Sequence, residues 1–278
     1  MTILSVDLAS RRYQDIGIAV IECVDGNVYA WFVKPHHALL KAPPSVDVLA
    51  GFLSDIAQKA RSSAIFIDGP QGWKHPENGL EHARICERRL FTPGKTGLPG
   101  AVKPASWTYM AEFSIQLFDA LDCAGHPRLM DPSELCGTKR VAIESFPTSA
   151  WRSLGQKPLV AKSRASIAHV EDRLRALRKF IPISLDEQPS HDELQALIAG
   201  LAGLPLLGST AVGYSLTGTT PVQLEGTWRE GFIVNPVAQE VRLGAPQFMP
   251  HLAQTLQTEV ALVLHFHRQV VEPLHKRA

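Results

Sequence analysis

The apolar positions near the start of the chain follow a strand pattern. Short, mostly apolar runs occupy residues 3–6, 16–23 and 28–33. Asp25 and Gly26 stand between the second and third runs, and such a pair is typical of the tight turn of a β-hairpin. The three runs therefore predict an antiparallel meander of three strands.

Helical spacing follows the meander. Residues 45–60 place apolar side chains at every third or fourth position, after a Ser45 that is suited to cap the N-terminus of a helix. The same periodicity recurs at 106–121, 162–180, 191–204 and 249–263, and further apolar runs that predict strands lie at 64–67, 141–143 and 231–234. This order of elements predicts an α/β fold with a mixed sheet and helices on its faces.

Residues 69–105 interrupt the alternation. They are rich in Gly, Pro and Arg and show no clear period, so we interpret them as an insertion or a mobile loop. Long segments of this kind are usually functional or disordered.

Carboxylates end three of the predicted strands. Asp7, Asp68 and Glu144 each follow an apolar run directly. Such acids can start turns, but in a sheet with aligned strands all three would meet at one edge, where ligands of α/β proteins usually bind. Gathered carboxylates repel one another unless a cation joins them, and Mg²⁺ prefers oxygen ligands. The pattern therefore predicts a metal site.

Asp192 is a fourth candidate, at the start of a predicted helix. Ser190 and Glu193 form a capping-box pattern around it, so Glu193 is expected to be structural. The helix dipole alone favours an acid in the first turn, which would explain Asp192 without any function. However, it shares one helical face with small residues at 196, 199 and 203, which indicates close packing against another element. We therefore expect its carboxylate to face the sheet edge.

The composition narrows the setting. The 278 residues are 45% hydrophobic and 20% charged, as in an ordinary globular protein, and the net charge of +1 predicts no general attraction for nucleic acid. The four cysteines show no zinc or disulfide spacing, which favours the cytoplasm. We expect no signal peptide, and no membrane span because the most apolar stretch, 197–208, is too short.

Six short segments resemble a known family. They are SVDLA, IDGPQGW, ARICERRLF, ESFPTSAWRSLG, HDELQALIAG and EGFIVNP, scattered over most of residues 3–236. In this order and spacing the chain resembles the predicted ribonuclease H-like nucleases known as domain of unknown function four hundred twenty-nine. The resemblance implies a single ribonuclease H-like domain, 1–278, with a mixed five-stranded sheet. An insertion at about 69–138 and a C-terminal helix at about 246–274 would extend it.

The resemblance also implies roles for the acids. Asp7 would bridge Mg²⁺ or Mn²⁺ ions, and Asp68, Glu144 and Asp192 would complete the catalytic and metal-binding set. The family usually offers a second acid three residues after Asp192, where this chain has Gln195. A neutral amide coordinates a metal more weakly than a carboxylate does, which leaves open the number of ions bound.

Basic and aromatic residues near the insertion are the candidates for substrate binding. Arg84, Arg88 and Arg89 recur at helical spacing and would suit phosphate oxygens, although a solvated basic face is an equal alternative. Trp73 and Trp107 border the insertion and could stack a base or anchor a core.

Three functions remain open at this stage. The leading one is divalent-metal-dependent hydrolysis of a phosphodiester, with nucleic acid or another phosphoester as substrate. A catalytically inactive binding module with the same fold is the alternative, favoured by Gln195 and the near-neutral charge. A phosphotransferase of the actin and sugar-kinase kind shares the strand order, but it normally needs two such cores, and the chain shows no repeat.

Overall fold

The structure is a computed structural model that describes residues 1–39, 43–136 and 140–238. The predicted C-terminal helix at 246–274 and the last two residues of the predicted insertion lie outside these ranges. In the part of the chain that is described, no helix combines the length and the apolar character needed to cross a membrane.

Ten strands and seven α-helices are formed within the described residues. The strands are β1 (Thr2–Asp7), β2 (Gly17–Val24), β3 (Asn27–Phe32), β4 (Ser62–Asp68), β5 (Lys95–Thr96), β6 (Val102–Lys103), β7 (Val141–Ser145), β8 (Ile183–Leu185), β9 (Val212–Leu224) and β10 (Thr227–Ala238). The helices are α1 (Pro35–Ala38), α2 (Val46–Lys59), α3 (Ile85–Arg89), α4 (Thr108–Cys123), α5 (Pro147–Ser153), α6 (Ile167–Arg178) and α7 (His191–Gly200). Short 3-10 helices connect several of them, including Lys162–Arg164 before α6 and Leu201–Leu207 after α7.

The main sheet has the order β8-β3-β2-β1-β4-β7-β10-β9. β1, β2 and β3 form the predicted antiparallel meander, and β4 and β7 continue it in parallel with β1. Asp25 and Gly26 have φ angles of 50° and 79°, as the predicted tight hairpin turn requires. The prediction of five strands is wrong, because the sheet has eight: β8 is added beside β3, and the long hairpin β9-β10 is added beside β7.

Helices cover both faces of the sheet, as expected. Alternate residues of each central strand enter two separate cores. In β1, Ile3 belongs to the core beneath α5, α6 and α7, whereas Leu4 and Val6 belong to the core beneath α2 and α4. The same alternation in β4 and β7 fixes which face each later residue of those strands points to.

The small residues of α7 and the turn after it let this segment lie close to the sheet. A Cβ atom on Gly200 would lie 2.5 Å from Ile21 Cδ1, and one on Gly203 would lie 2.6 Å from Ile3 Cγ1. Close approach of the predicted helix to another element is thereby confirmed.

The segment 69–105 is bonded to the sheet rather than free of it. Trp73 N donates to Trp228 O over 2.8 Å and Glu230 N donates to Trp73 O over 2.7 Å, a parallel bridge to β10. Helix α3 and the small β5-β6 ribbon also form within this segment. Sequence periodicity missed this order because each piece has only two to five residues.

Candidate functional site

Asp7 and Asp68 end neighbouring parallel strands at the same level. In the β1-β4 pairing they are direct partners, so their side chains leave the same face of the sheet. Strands in a sheet lie about 4.8 Å apart, which places the two carboxyl groups side by side. The aligned strand ends predicted from the sequence are therefore present for this pair.

Asp192 reaches the same place through a glycine. Gly17 of β2 pairs with Asp7, and a Cβ atom on it would lie 2.2 Å from both the carbonyl carbon and oxygen of Asp192. The first turn of α7 therefore rests directly on the backbone beside Asp7. Ser190 and Glu193 make the predicted capping box, with Ser190 N donating to Glu193 Oε2 over 2.7 Å. The box fixes where the helix begins, and so where Asp192 stands.

The acids affect one another electrostatically. Burial raises the pKa of Asp7 well above its usual value, and the Asp68 and Asp192 carboxylates raise that pKa further. Burial also raises the pKa of Asp68, to about 7; a hydrogen bond with the Asp7 side chain lowers that pKa, and the Glu144 charge adds to the rise. These shifts mean that two adjacent carboxyl groups are held without enough positive charge nearby.

Lys162 is the protein's own cation at this site. Its Nζ donates to Asp15 Oδ1 over 2.8 Å and also to Asp192 Oδ2. The same charge lowers the pKa of Asp7, although burial and the acids outweigh it. His191 contacts the other oxygen of Asp192, with 3.0 Å between His191 Nδ1 and Asp192 Oδ1. Asp192 is therefore paired within the protein, whereas Asp7 and Asp68 mainly face each other.

Glu144 lies on the other face of the sheet. It pairs with Ile67 in the β4-β7 register, one position short of Asp68, and successive side chains of a strand point to opposite faces. The partner of Asp68 is instead Ser145, whose buried hydroxyl has no hydrogen-bond partner among the described residues. Glu144 is thus close enough to raise the pKa of Asp68 without sharing its face.

Arg84 binds Glu144 instead of facing solvent. Its Nη1 and Nη2 donate to the two carboxylate oxygens of Glu144 over 2.7 and 2.6 Å, and its Nε donates to Glu87 Oε1 over 3.0 Å. The Arg84 side chain is 1% exposed. A buried guanidinium with two carboxylate partners is not placed to clamp a phosphate, so the structure gives Arg84 a different position from the one expected. Arg88 is exposed and Arg89 is half-buried.

Gln195 takes part in packing. Its Oε1 accepts a hydrogen bond of 2.8 Å from Nε1 of Trp151, whose side chain is fully buried. The amide oxygen at the position of the family's second acid is therefore already used by α5.

The donor set suits a hard cation only in part. Within residues 1–39, 43–136 and 140–238, no group of three or more His, Cys, Asp or Glu side chains is placed to hold a metal ion. Glu144 lies on the opposite face of the sheet, where Arg84 holds it, and Asp192 is held by Lys162. Asp7 and Asp68 remain, and two adjacent, undercompensated carboxylates are the oxygen ligands that Mg²⁺ takes.

Sequence reasoning missed three contributors to the site. The sequence predicts a basic helix from Lys162 and places Gly17 inside the second apolar run, and it does not predict the short 3-10 helix, Tyr13–Asp15, that carries Asp15. Only long-range contacts give these residues a role, because Lys162 meets Asp15 across 147 positions of the chain. No local pattern in the sequence carries that information.

Comparisons with known proteins add little. No protein-family model matches the chain, and no curated protein matches it. Among solved structures, the chain is similar to the RuvC structure of Thermus thermophilus, with 13% sequence identity and a TM-score of 0.36, over 75% of this chain and 98% of that one. A likeness of this degree carries no conclusion about activity. The family that the sequence resembles stays an expectation.

Proposed function

We propose that the protein is a divalent-metal-dependent phosphodiester hydrolase acting on nucleic acid. The observation that carries the proposal is the in-register pair Asp7 and Asp68, with the first turn of α7 brought against it at Gly17. A fold that holds two half-buried acids side by side, with Lys162 too little to balance them, sacrifices stability, and such sites concentrate where chemistry is done.

Asp7 and Asp68 would hold Mg²⁺ or Mn²⁺, and Asp192 would join them when Lys162 releases it. The ion, when bound, would supply charge stabilisation for a phosphoryl group and a more acidic water. The chain's own residues provide the oxygen ligands and their orientation. Lys162 holds Asp192 in place beside Asp7.

Glu144 contributes from the opposite face of the strand ends. Its carboxylate is fixed by Arg84 and by Gln71 N, which donates to Glu144 Oε2 over 3.1 Å. We assign Glu144 the role of a fixed negative charge beside Asp68. Glu144 would become a metal ligand only if its ion pair with Arg84 were broken. Of the expected phosphate-binding arginines, exposed Arg88 and half-buried Arg89 keep that role in the proposal.

The test is the variant Asp7→Asn. Asn keeps the shape of the side chain but removes the charge, so cleavage of single-stranded oligonucleotides with Mg²⁺ or Mn²⁺ should be abolished while the circular dichroism spectrum is unchanged. Asp172→Asn, on the exposed side of α6, is the matched control and should retain full activity. Full activity of Asp7→Asn would refute the assignment.

A binding module without catalysis is the second candidate. The pairing of Asp192 with Lys162 and the use of Gln195 by Trp151 favour it, because both reduce the number of free metal ligands. Calorimetric titration with Mn²⁺ separates the two candidates. A nuclease should bind Mn²⁺ and lose that binding in Asp68→Asn, whereas an inactive module should show no binding that depends on Asp68.

A further inference from the structure

A cavity of about 550 Å³ opens next to the candidate site. Asp68 and Glu144 are among its lining residues, and the rest of the lining comes mainly from the connection after β1, the insertion and the start of α4. The volume falls within the range of roughly 300–1,000 Å³ that is typical of small-ligand pockets. It is therefore large enough for one nucleotide and too small for a duplex.

Two exposed aromatic rings form part of the cavity wall. Trp107 is 44% exposed and Tyr109 is 52% exposed, although large aromatic residues usually bury most of their surface. Trp73, the other tryptophan at the insertion, is 6% exposed and packs in a small core with Val102 and Ile115. Of the two tryptophans at the insertion, Trp73 therefore belongs to a core, whereas Trp107 is exposed at the cavity.

The Trp107 ring packs closely against the backbone at Gly94. A Cβ atom on Gly94 would lie 2.4 Å from Trp107 Cε3 and 2.5 Å from Cζ3, so only glycine lets the backbone approach the indole this closely. Backbone contact of this kind limits the motion of the ring. A rigid aromatic surface loses little conformational entropy when a second flat ring stacks on it.

One of the basic residues that line the cavity is free to bind a phosphate. Arg11 is exposed, lines the cavity and has no ion pair among the described residues. Lys95 also lines it, but its Nζ is bonded to Glu87 O, over 3.3 Å, and to Thr92. Arg11 is therefore the lining cation that remains available for a backbone phosphate, and Asp68, on the same lining, is the acid proposed to hold a metal.

We propose that this cavity receives one unpaired nucleobase of a nucleic acid strand, stacked on Trp107, and so makes unpaired nucleotides the substrate class. The inference rests on the proposed function, because it takes the adjacent acids to be the reacting site. A base must leave a duplex before it can enter a pocket, and aromatic platforms bind single strands through base stacking.

The test compares two strands of equal length and charge. One is a dye-labelled thymidylate octamer, and the other is the same backbone with every base removed, both followed by fluorescence anisotropy with the full chain. Wild-type protein should bind the base-bearing strand about tenfold more tightly, as stacking of one base contributes on that scale. Equal affinity for the two strands would overturn the proposal.

Variants at Trp107 identify the stacking surface. Trp107→Leu should lose about tenfold in affinity for the base-bearing strand and nothing for the abasic one, whereas Trp107→Phe should stay within about threefold of wild type. Phe180→Leu, also at an exposed aromatic residue but outside the cavity, is the control and should bind as wild type does. Unchanged binding by Trp107→Leu would overturn the proposal.

Two additions separate this inference from the proposed activity. Uridylate octamers in place of thymidylate show whether RNA or DNA is the better source of the base, and stacking of either supports the pocket. Running each titration in EDTA and in Ca²⁺ shows whether base preference exists without metal. Base preference with no cleavage under Mg²⁺ would remove the proposed function and leave the pocket intact.

Discussion

Two groups of acids lie at the same edge of the sheet, on opposite faces, and they are treated differently. On the α7 face, Asp7 and Asp68 stand side by side and each has a raised pKa, owing first to burial and then to neighbouring carboxylates. On the other face, burial raises the pKa of Glu144 too, but Arg84 lowers it, and Glu144 and Glu87 share the buried guanidinium of that arginine.

The acids of the second group, and Glu230 of β10 near them, accept hydrogen bonds from the backbone of the insertion. Glu230 accepts from His75 N over 3.0 Å and from Ile85 N over 2.9 Å, and Glu87 accepts from Thr96 N. Buried charges with partners hold a structure together, whereas buried charges without enough partners cost stability. The contrast assigns the Arg84 group to holding the insertion and the Asp7 pair to binding something cationic.

Removing Arg84 should have the largest effect on stability. Arg84→Met leaves Glu144 and Glu87 buried without their cation, and breaking a buried pair costs about 3–5 kcal/mol. Urea unfolding should show this loss in the free energy of unfolding. Arg88→Met, at an exposed arginine of α3, should stay within about 0.5 kcal/mol. If Arg84→Met unfolds like wild type, the second group has no structural role.

Neutralising Asp68 should raise the free energy of unfolding, whereas removing Arg84 lowers it. Its folded pKa of about 7 lies above the usual 3.8, so the folded protein binds more protons than the unfolded chain between these values, and stability falls as pH rises. In EDTA, the stability gained by Asp68→Asn should grow by about 2–3 kcal/mol from pH 5 to pH 8. Asp172→Asn, exposed on α6, should show no such growth. A constant difference would contradict the undercompensated pair.

Adding a methyl group at Gly17 should have the smallest of the three effects on stability, and it should affect the acids beside Asp7 without affecting those around Arg84. Gly17→Ala must displace the start of α7, at a cost of about 1–3 kcal/mol, and it moves Asp192 without altering any acid. Mn²⁺ affinity measured by calorimetry should fall while the Arg84 group stays intact. Gly51→Ala, which meets nothing within 4 Å on α2, should keep that affinity. Unchanged Mn²⁺ binding in Gly17→Ala would remove Asp192 from the site.

Local patterns predicted the parts of the fold that local rules determine. The meander, its Asp25-Gly26 turn and the capping box of α7 were all readable, because each depends on neighbours in sequence. The alignment of Asp7 with Asp68 follows from where β1 and β4 end. These features account for the central five strands of the sheet.

The sequence could not predict which face of the sheet the Glu144 side chain points to. A shift of one residue in strand register turns a side chain to the opposite face, and no pattern in the sequence fixes where β7 pairs with β4. Lys162 and Arg84 were equally hidden as partners of acids, since each meets its carboxylate only through tertiary contacts. β9 was missed because its apolar and polar positions do not alternate cleanly.

The bridge between Trp73 and Arg229 has a consequence for how the molecule opens. Glu230 joins the backbone of His75 and Ile85 to β10, next to that bridge. Amide hydrogens of the insertion and of the β9-β10 hairpin should therefore exchange with solvent together, as one cooperative unit. Because residues of the insertion and Ile233 of β10 both line the cavity, we expect opening of this unit to change the shape of the cavity as well.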